Sequence, residues 1–366
     1  MRSPIRRAVV VGAGSFGTAV AVLLERSGVR TTLLTRTREQ AERLDSGRAN
    51  ARYLDGVELP RGLRIQPVDP GEAQFRRADA VFLAMPSRAF GEAADALAIQ
   101  ELPDHAGIVS CAKGLVPPDG VAPTVYLERL FAPGRVACIG GPAHAREMVE
   151  SGAGLVCASH SEGLAHRISE AFQRAGTVCE VSNDPVGVEL AGAAKNAAAL
   201  AAGATIAQGF NAAGMAAGDV FGEVLALAEV QGARAETFVG RAGIGDLMAT
   251  ALAPSSRNRA AGELLAAGVP AAEVPERLGQ VSEALETVSL LARACQAAQV
   301  DAPVISALAR LIDGSLPLAD WVALVRTTQP EPAQFNGGLW RRVAGRFRRV
   351  RARRRTRRPQ LSSTRR

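Results

Sequence analysis

The chain has 366 residues, of which 47% are hydrophobic and 22% charged, proportions that are ordinary for a globular protein. This length favours two domains over a single core. Aromatic residues make up only 4% of the chain, which argues against recognition of nucleic acid by base stacking. The net charge of +7 originates at the C-terminus: residues 337–366 contain thirteen arginines and no acid, and without them the chain carries −6.

The sequence contains no uncharged apolar run long enough for a membrane span. The first apolar run, near residues 8–11, is short and leads directly into a glycine-rich turn. We therefore expect a strand there rather than a signal peptide, and a cytoplasmic protein. The five cysteines form no CxxC pair, which predicts free thiols in a reducing compartment and no metal site.

Short apolar runs that alternate with helical stretches predict an α/β fold with a doubly wound, mostly parallel sheet. Strands are expected at 7–11, 30–35, 79–84, 107–111, 135–140, 153–158 and 177–181. Beyond residue 184 the strand pattern ends, and helices are expected at 185–208, 214–232, 258–267 and 282–298. The predicted organisation is an NAD(P)-binding Rossmann domain at 1–184, a helical substrate and catalytic domain at 185–328, and an arginine-rich, disordered tail at 329–366.

A GxGxxG pattern follows the first strand and opens a helix, the context in which this motif binds a dinucleotide. Gly12 allows the tight turn, Gly14 lets a pyrophosphate approach the backbone, and Gly17 lets the helix pack on the sheet. Amide groups at the helix start, including those of Ser15 and Phe16, are expected to hold the pyrophosphate.

The end of the second strand bears on the choice of cofactor. An acid there would hold the ribose hydroxyl of NAD, but Thr35-Arg36-Thr37-Arg38 offers none before Glu39. Arg36 or Arg38 is instead suited to a 2′-phosphate, which favours NADP(H) over NAD(H). Solvent exposure of both arginines is the alternative.

Lysine is almost absent, since only Lys113 and Lys195 occur among 43 basic residues. A chain that uses arginine so consistently is expected to keep lysine where an ammonium group is required.

Several segments together resemble the bacterial NAD(P)-dependent glycerol-3-phosphate dehydrogenase family. They are GAGSFGTAVA at 12–21, NARYLDGVELP at 50–60, CAKGL at 111–115, GPAHARE at 141–147, ELAGAAKNAAALAAG at 189–203, ETFVGRAGIGDLMAT at 236–250 and SSRNRAAG at 255–262. The resemblance extends from about Arg7 to about Val325. It implies reversible reduction of dihydroxyacetone phosphate to sn-glycerol 3-phosphate, which supplies phospholipid synthesis, by a homodimer whose site lies between the two domains.

The resemblance implies that Lys195 is the catalytic acid/base and that Asp246 orients it from a loop. An ammonium group stabilises charge that develops on a carbonyl oxygen and can then release a proton, which arginine can hardly do. The implied cofactor contacts are Gly12, Gly14, Ser15, Phe16, Gly17, Arg36, Lys113, Ala145, Arg257, Val281 and Glu283. The implied substrate contacts are Lys113, Gly141, Ala143, Lys195, Asp246, Ser256, Arg257 and Asn258. The last three begin a predicted helix, whose N-terminus favours a phosphate dianion.

Two residues depart from the family pattern. Ala143 stands where the family often has Ser or Thr, so a hydroxyl contact is lost. Ala284 stands where the family usually has Gly; a positive φ at that position would add strain of about 1 kcal/mol and would weaken the assignment of Glu283.

Two other functions remain open. A reductase of the same architecture that acts on a 3-hydroxy or 2-keto acid would bind a carboxylate, whereas Ser256, Arg257, Asn258 and Lys113 favour a phosphate. A non-catalytic nucleotide sensor, or a protein that binds anionic partners through the tail, is the other alternative.

Overall fold

An eight-stranded sheet and the helices around it dominate the computed structural model, which describes residues 4–69, 73–253, 256–279 and 282–328. The strands are β1 (Arg7–Val11), β2 (Arg30–Thr35), β3 (Ala49–Asn50), β4 (Leu54–Glu58), β5 (Arg64–Pro67), β6 (Ala80–Leu83), β7 (Gly107–Ser110), β8 (Val136–Gly140), β9 (Gly154–Ala158) and β10 (Val178–Ser182). The helices of the first half are α1 (Ser15–Arg26), α2 (Arg38–Gly47), α3 (Phe90–Ala98), α4 (Pro123–Leu127), α5 (Ala145–Glu150) and α6 (Glu162–Arg174).

The second half is helical throughout its described residues. Its helices are α7 (Pro185–Thr205), α8 (Phe210–Val230), α9 (Ala235–Val239), α10 (Asp246–Leu252), α11 (Arg257–Ala266), α12 (Val274–Leu278), α13 (Glu283–Ala297), α14 (Pro303–Ile312) and α15 (Leu318–Thr327). Residues up to Thr327 form one compact unit. The predicted tail at 329–366 and the predicted cofactor contact Val281 lie outside the described residues. No helix in the described parts of the chain is long and apolar enough to cross a membrane.

The sheet order is β10-β9-β8-β7-β6-β1-β2-β5, so β1 lies between β6 and β2. The chain builds outward from β1 on one side and then from β6 on the other, which makes the β1/β6 boundary the switch point of the sheet. In open α/β sheets a ligand binds beyond the carboxyl ends of the strands at such a point. The glycine-rich turn follows β1 at this place.

The prediction of a mostly parallel sheet is confirmed, with one antiparallel pair. β1 runs parallel to both β2 and β6, whereas β8 and β9 are antiparallel. The link between β8 and β9 returns at the same edge of the sheet, where the Gly154 amide donates to the Pro142 carbonyl at 3.2 Å. Because that link does not cross the sheet, β9 must run in the opposite direction.

α7 is the central helix of the second half, and nearly all of its residues are buried. Asp184 accepts a hydrogen bond from the Gly187 amide at 3.0 Å and so caps the helix start. Against α7 lies α11, so close that a Cβ on Gly203 would lie 2.0 Å from the Arg259 carbonyl oxygen. This close approach brings the first turn of α11 against the last turn of α7.

The seven predicted strands are present, with ends that shift by at most one or two residues. The α/β fold class is confirmed. Three strands between residues 49 and 67 were not predicted, nor were the short helices α9, α10 and α12 or the terminal α14 and α15. The predicted loop around Asp246 was also wrong, because residues 241–245 form a π-helical turn and Asp246 begins α10.

Candidate active site

A cavity of about 870 Å³ opens beyond the carboxyl ends of β1, β6 and β7 and extends to α7, α10, α11 and α13. It gathers most of the residues that the sequence singled out: Gly12, Gly14, Ser15, Phe16, Arg36, Lys113, Ala143, Ala145, Lys195, Ser256, Arg257, Asn258 and Glu283. Gly17, Arg38, Gly141 and Asp246 are not among the residues of this wall. Of these four, Gly141 and Asp246 contact the lysines that do line it.

The glycine-rich turn has the shape that a pyrophosphate requires. Gly12 has φ +109°, and a Cβ there would lie 2.4 Å from the Ala84 carbonyl oxygen at the end of the neighbouring strand. A Cβ on Gly17 would lie 2.0 Å from the Gly12 carbonyl oxygen, whereas one on Gly14 would meet nothing within 4 Å. α1 has neither a side-chain cap nor an acid in its first turn. The helix start is thus open to an anion, and the residues present fit a dinucleotide.

Both lysines of the chain converge on one carboxylate. Lys113 Nζ donates to Asp246 Oδ2 at 2.7 Å and to the Gly141 carbonyl at 3.0 Å. Lys195 Nζ donates to Thr250 Oγ1 at 3.1 Å and lies 3.6 Å from Asp246 Oδ1. Asp246 and Thr250 are one turn apart on α10, so the same helix face presents both to Lys195.

Burial gives this triad unusual acid–base properties. It lowers the pKa of Lys195 to about 8; Lys113 acts in the same direction, and Asp246 opposes the shift. Burial would raise the pKa of Asp246, but the charges of Lys113 and Lys195 outweigh it, so that pKa is lowered. The triad therefore carries one net positive charge and includes an ammonium group that can give up its proton near neutral pH.

The first turn of α11 forms another wall of the cavity. Ser256 caps the helix by accepting from the Arg259 amide at 3.4 Å, and Arg257 is exposed beside it. Asn258 Nδ2 donates to Asn196 Oδ1 at 2.7 Å, so this amide is already engaged within the protein. The Asn196 amide in turn donates to the Lys113 carbonyl at 2.8 Å, which links the α11 turn to the lysine pair.

The departures from the family pattern have clear structural outcomes. Ala143 lies half-buried on the cavity wall, next to the start of α5 at Ala145. Ala284 lies inside α13 and not among the residues with positive φ, so the strain considered above does not arise. Glu283 begins the same helix on the cavity wall, and its withdrawal from water raises its pKa while Arg257 opposes the shift.

Sequence reasoning missed several residues of this wall. Thr250 lies one turn after Asp246, so a helical assignment of that segment would have pointed to it. Asn196 directly follows Lys195 in a helix that was predicted, but adjacent residues do not share a helix face, so the pattern gave no signal for it. His144 caps α5, and its Nε2 lies 3.3 Å from the Ala249 carbonyl oxygen. The remaining missed residues are Ala13, Gln40, Arg52, Tyr53, Ala84, Met85, Pro86, Arg88, Cys111, Ala112, Pro275, Glu276 and Gly279.

A Rossmann-type sheet whose switch point faces a buried ammonium group is typical of nucleotide-dependent oxidoreductases. Comparison with known families identifies which oxidoreductase family this is. Residues 7–165 match the NAD-dependent glycerol-3-phosphate dehydrogenase N-terminus, and residues 184–323 match the corresponding C-terminus. The chain belongs to the NAD-dependent glycerol-3-phosphate dehydrogenase family.

Individual relatives agree with the family match. The chain is 36% identical to a glycerol-3-phosphate dehydrogenase [NAD(P)+] of Pseudomonas entomophila, over 82% of this chain and 87% of that protein. It is 35% identical to the Methylococcus capsulatus protein of the same name, over 88% and 97%. Among solved structures, glycerol-3-phosphate dehydrogenase of Coxiella burnetii has a TM-score of 0.80 at 26% identity and covers 88% of this chain and 99% of its own.

Proposed function

We propose that this protein catalyses the reversible NAD(P)H-dependent reduction of dihydroxyacetone phosphate to sn-glycerol 3-phosphate. The proposal rests on the Lys195–Asp246–Lys113 triad, whose two lysines line the same cavity as the glycine-rich turn. The assay is the oxidation of NADPH or NADH, followed by absorbance, with dihydroxyacetone phosphate. Comparable turnover of 2-keto acids in place of the phosphate substrate would contradict it.

Lys195 is the proposed proton donor to the C2 oxygen. When bound, the reduced nicotinamide supplies hydride to C2, and negative charge develops on the carbonyl oxygen. The Lys195 ammonium stabilises that charge and then transfers its proton to the oxygen, while Asp246 and Thr250 hold the ammonium in place. In glycerol 3-phosphate oxidation the neutral amine accepts the proton.

Substrate binding is assigned to residues around the triad. Ser256, Arg257 and Asn258 at the start of α11 are the proposed phosphate contacts, because a helix N-terminus and a guanidinium both favour a dianion. The proposed contacts of the remainder of the substrate are Lys113, Gly141, Ala143, Lys195 and Asp246.

Cofactor binding is assigned mainly to the glycine-rich turn, and Lys113 and Arg257 are proposed to contact both cofactor and substrate. The turn residues Gly12, Gly14, Ser15, Phe16 and Gly17 fit the pyrophosphate. Further proposed contacts are Arg36, Lys113, Ala145, Arg257, Glu283 and Val281, the last of which lies outside the described residues.

The rates of reduction and of glycerol 3-phosphate oxidation should change with pH in opposite directions. Reduction needs the Lys195 ammonium, so kcat/KM should be constant below the lysine pKa of about 8 and should fall tenfold per unit above it. Oxidation of glycerol 3-phosphate needs the free amine and should rise through the same pH range. Initial rates in both directions from pH 6.5 to 9.5 measure this. A reduction profile that is flat across pH 8 would exclude Lys195 as the acid.

NADP(H) is the proposed preferred cofactor, because Arg36 lies at the end of β2 on the cavity wall and Arg38 does not. Arg36→Ala should weaken NADPH binding by about 1.5–3 kcal/mol, the range of a hydrogen bond to a charged group, and NADH binding much less. Fluorescence titration with both cofactors measures the difference, and Arg38→Ala is the matched control. Equal losses for NADPH and NADH in Arg36→Ala would remove the 2′-phosphate assignment.

The cellular setting follows from the same reaction. We propose a cytoplasmic enzyme that supplies glycerol 3-phosphate for phospholipid synthesis; the five buried free cysteines suit a reducing compartment. The division into two domains is proposed at residue 184, between the end of β10 and the start of α7.

A homodimer is the proposed assembly. Phe210 is exposed at the start of α8, and Gly214, Gly218 and Gly222 follow it at intervals of one helical turn. A Cβ added to any of these three glycines would meet nothing within 4 Å. Because these glycines carry no side chains, this face of α8 allows a second helix to approach closely. Sedimentation of Gly218→Arg against wild type tests whether it forms the interface.

The arginines of residues 337–366 are proposed to bind anionic partners. Salt-dependent retention on heparin should disappear after truncation at residue 335, while turnover is retained. Retention by the truncated protein would assign the binding to the body of the molecule.

A further inference from the structure

Glu189 is a buried carboxyl group that the proposed chemistry does not use. It lies on α7, six residues before Lys195, and is 3% exposed. It is not part of the cavity wall. Burying a carboxyl group is costly unless hydrogen bonds compensate, so its partners indicate its role.

The partners of Glu189 lie on the segment that carries Lys113. Glu189 Oε2 accepts from both the amide and the hydroxyl of Thr124, at 2.9 and 2.6 Å. Thr124 lies in the first turn of α4, which the chain reaches from β7 through Lys113. Oε1 is buried without a hydrogen-bond partner in the described part of the chain.

The environment of this carboxyl group favours its neutral form. Burial raises the pKa of Glu189 to about 7, against the donors of Thr124 and Ser110, and Glu128 adds to the shift. The other titratable groups around it are the Cys111 and Cys138 thiols, whose own pKa values burial raises. A protonated Glu189 keeps a carbonyl oxygen for both Thr124 bonds, so its contacts do not require a charge.

The same face of α7 holds the Lys113 segment at a second point. Asn196 Nδ2 donates to the Lys113 carbonyl at 2.8 Å. Between the two contacts Gly192 faces Lys113, where an added Cβ would make an ordinary van der Waals contact with the Lys113 Cβ at 3.8 Å. Residues 189, 192 and 196 have the i, i+3, i+7 spacing of one helix face. α7 therefore holds this segment at Lys113 and again at Thr124, further along the chain.

We propose that Glu189 is a positioning residue: through its hydrogen bonds to Thr124, rather than its charge, it holds the Lys113 segment on α7 and so sets the distance between the two lysines. Lys113 is one of the groups that lower the pKa of Lys195. A displaced Lys113 would leave Asp246 to act on Lys195 alone, and the Lys195 pKa would rise. This inference rests on the proposed function only where turnover is concerned.

The scarcity of lysine provides a readout that does not depend on turnover. Protein labelled with ¹³C at the lysine ε-carbon should show two side-chain signals, one from Lys113 and one from Lys195, which Lys113→Arg assigns. In Glu189→Leu we expect the Lys195 titration to move upward from about 8 toward the ordinary value of about 10.4. We also expect kcat for reduction to fall on the order of tenfold or more, because small misplacements in an active site are costly.

Two further variants separate positioning from general stability. Glu189→Gln can accept both Thr124 bonds without charge and should keep the wild-type lysine titration. Glu223→Leu is the matched control, since Glu223 is half-buried and also accepts two hydrogen bonds at a helix start, from the Val304 and Ile305 amides of α14, both at 2.8 Å. It should lower the melting temperature without moving the lysine signals.

The outcomes divide cleanly. An unchanged Lys195 titration in Glu189→Leu, or an equal shift in Glu189→Gln or Glu223→Leu, would overturn the proposal. If Glu189→Leu does not fold, Thr124→Val removes the hydroxyl donor alone; a smaller upward shift supports the proposal, and no shift overturns it. If Glu189→Leu shifts the Lys195 titration but the wild type does not reduce dihydroxyacetone phosphate, the proposed function is wrong while the positioning role holds.

Discussion

Lys195→Arg is expected to fold normally and to lose on the order of 10²-fold or more in kcat for dihydroxyacetone phosphate reduction. A guanidinium group retains the positive charge that Asp246 faces at 3.6 Å. It does not release a proton near neutral pH, because its pKa lies far above that range. The variant thus separates electrostatic stabilisation of the oxygen from proton transfer to it.

Three measurements make the comparison decisive. The melting temperature reports the fold, NADPH titration reports the cofactor site, and single-turnover rates report the chemical step. We expect the first two to remain close to wild type and the third to fall. Near wild-type turnover in the folded variant would remove Lys195 from proton transfer and leave it an electrostatic role.

Most of the strands that the sequence predicts are buried on both faces, although the edge strand β10 is largely exposed. β1, β6 and β8 are runs of apolar residues with almost complete burial, and such runs are visible in a sequence without neighbours. β4 and β5 were missed because they mix buried and exposed residues over only five and four positions. β5 packs against α2 at the edge of the sheet, and β4 packs against α1 and α5. The local sequence does not show such contacts.

The candidate site likewise contains residues that the sequence predicts and residues that it does not. Gly12 and Lys195 were found because their neighbours form a motif and because lysine is rare here. Thr250 and His144 were missed, since each reaches the site only through packing of α10 and α5. The glycines before Asp246 suggested a loop, yet the π-helical turn leads without a break into α10. Local composition does not reveal such a continuation when its stability comes from tertiary contacts.

Arg257→Ala should raise KM for dihydroxyacetone phosphate by on the order of 10- to 10²-fold, the equivalent of about 1.5–3 kcal/mol for a charged hydrogen bond. Arg257 is exposed on the cavity wall as the first residue of α11, where the helix dipole also favours a dianion. Ser256 caps this helix and Asn258 is held by Asn196, so the change should leave the turn in place.

Dihydroxyacetone provides the test of this assignment, because it has the same carbonyl group and no phosphate. Its turnover should be poor in the wild type, where binding energy from the phosphate normally brings the carbonyl to Lys195, and Arg257→Ala should scarcely change it. Added inorganic phosphite should partly restore dihydroxyacetone turnover in the wild type and not in the variant. If Arg257→Ala lowered kcat/KM equally for both substrates, Arg257 would act on the cofactor or the fold. The phosphate site would then have to lie elsewhere on the wall, and a carboxylate substrate would again compete with dihydroxyacetone phosphate.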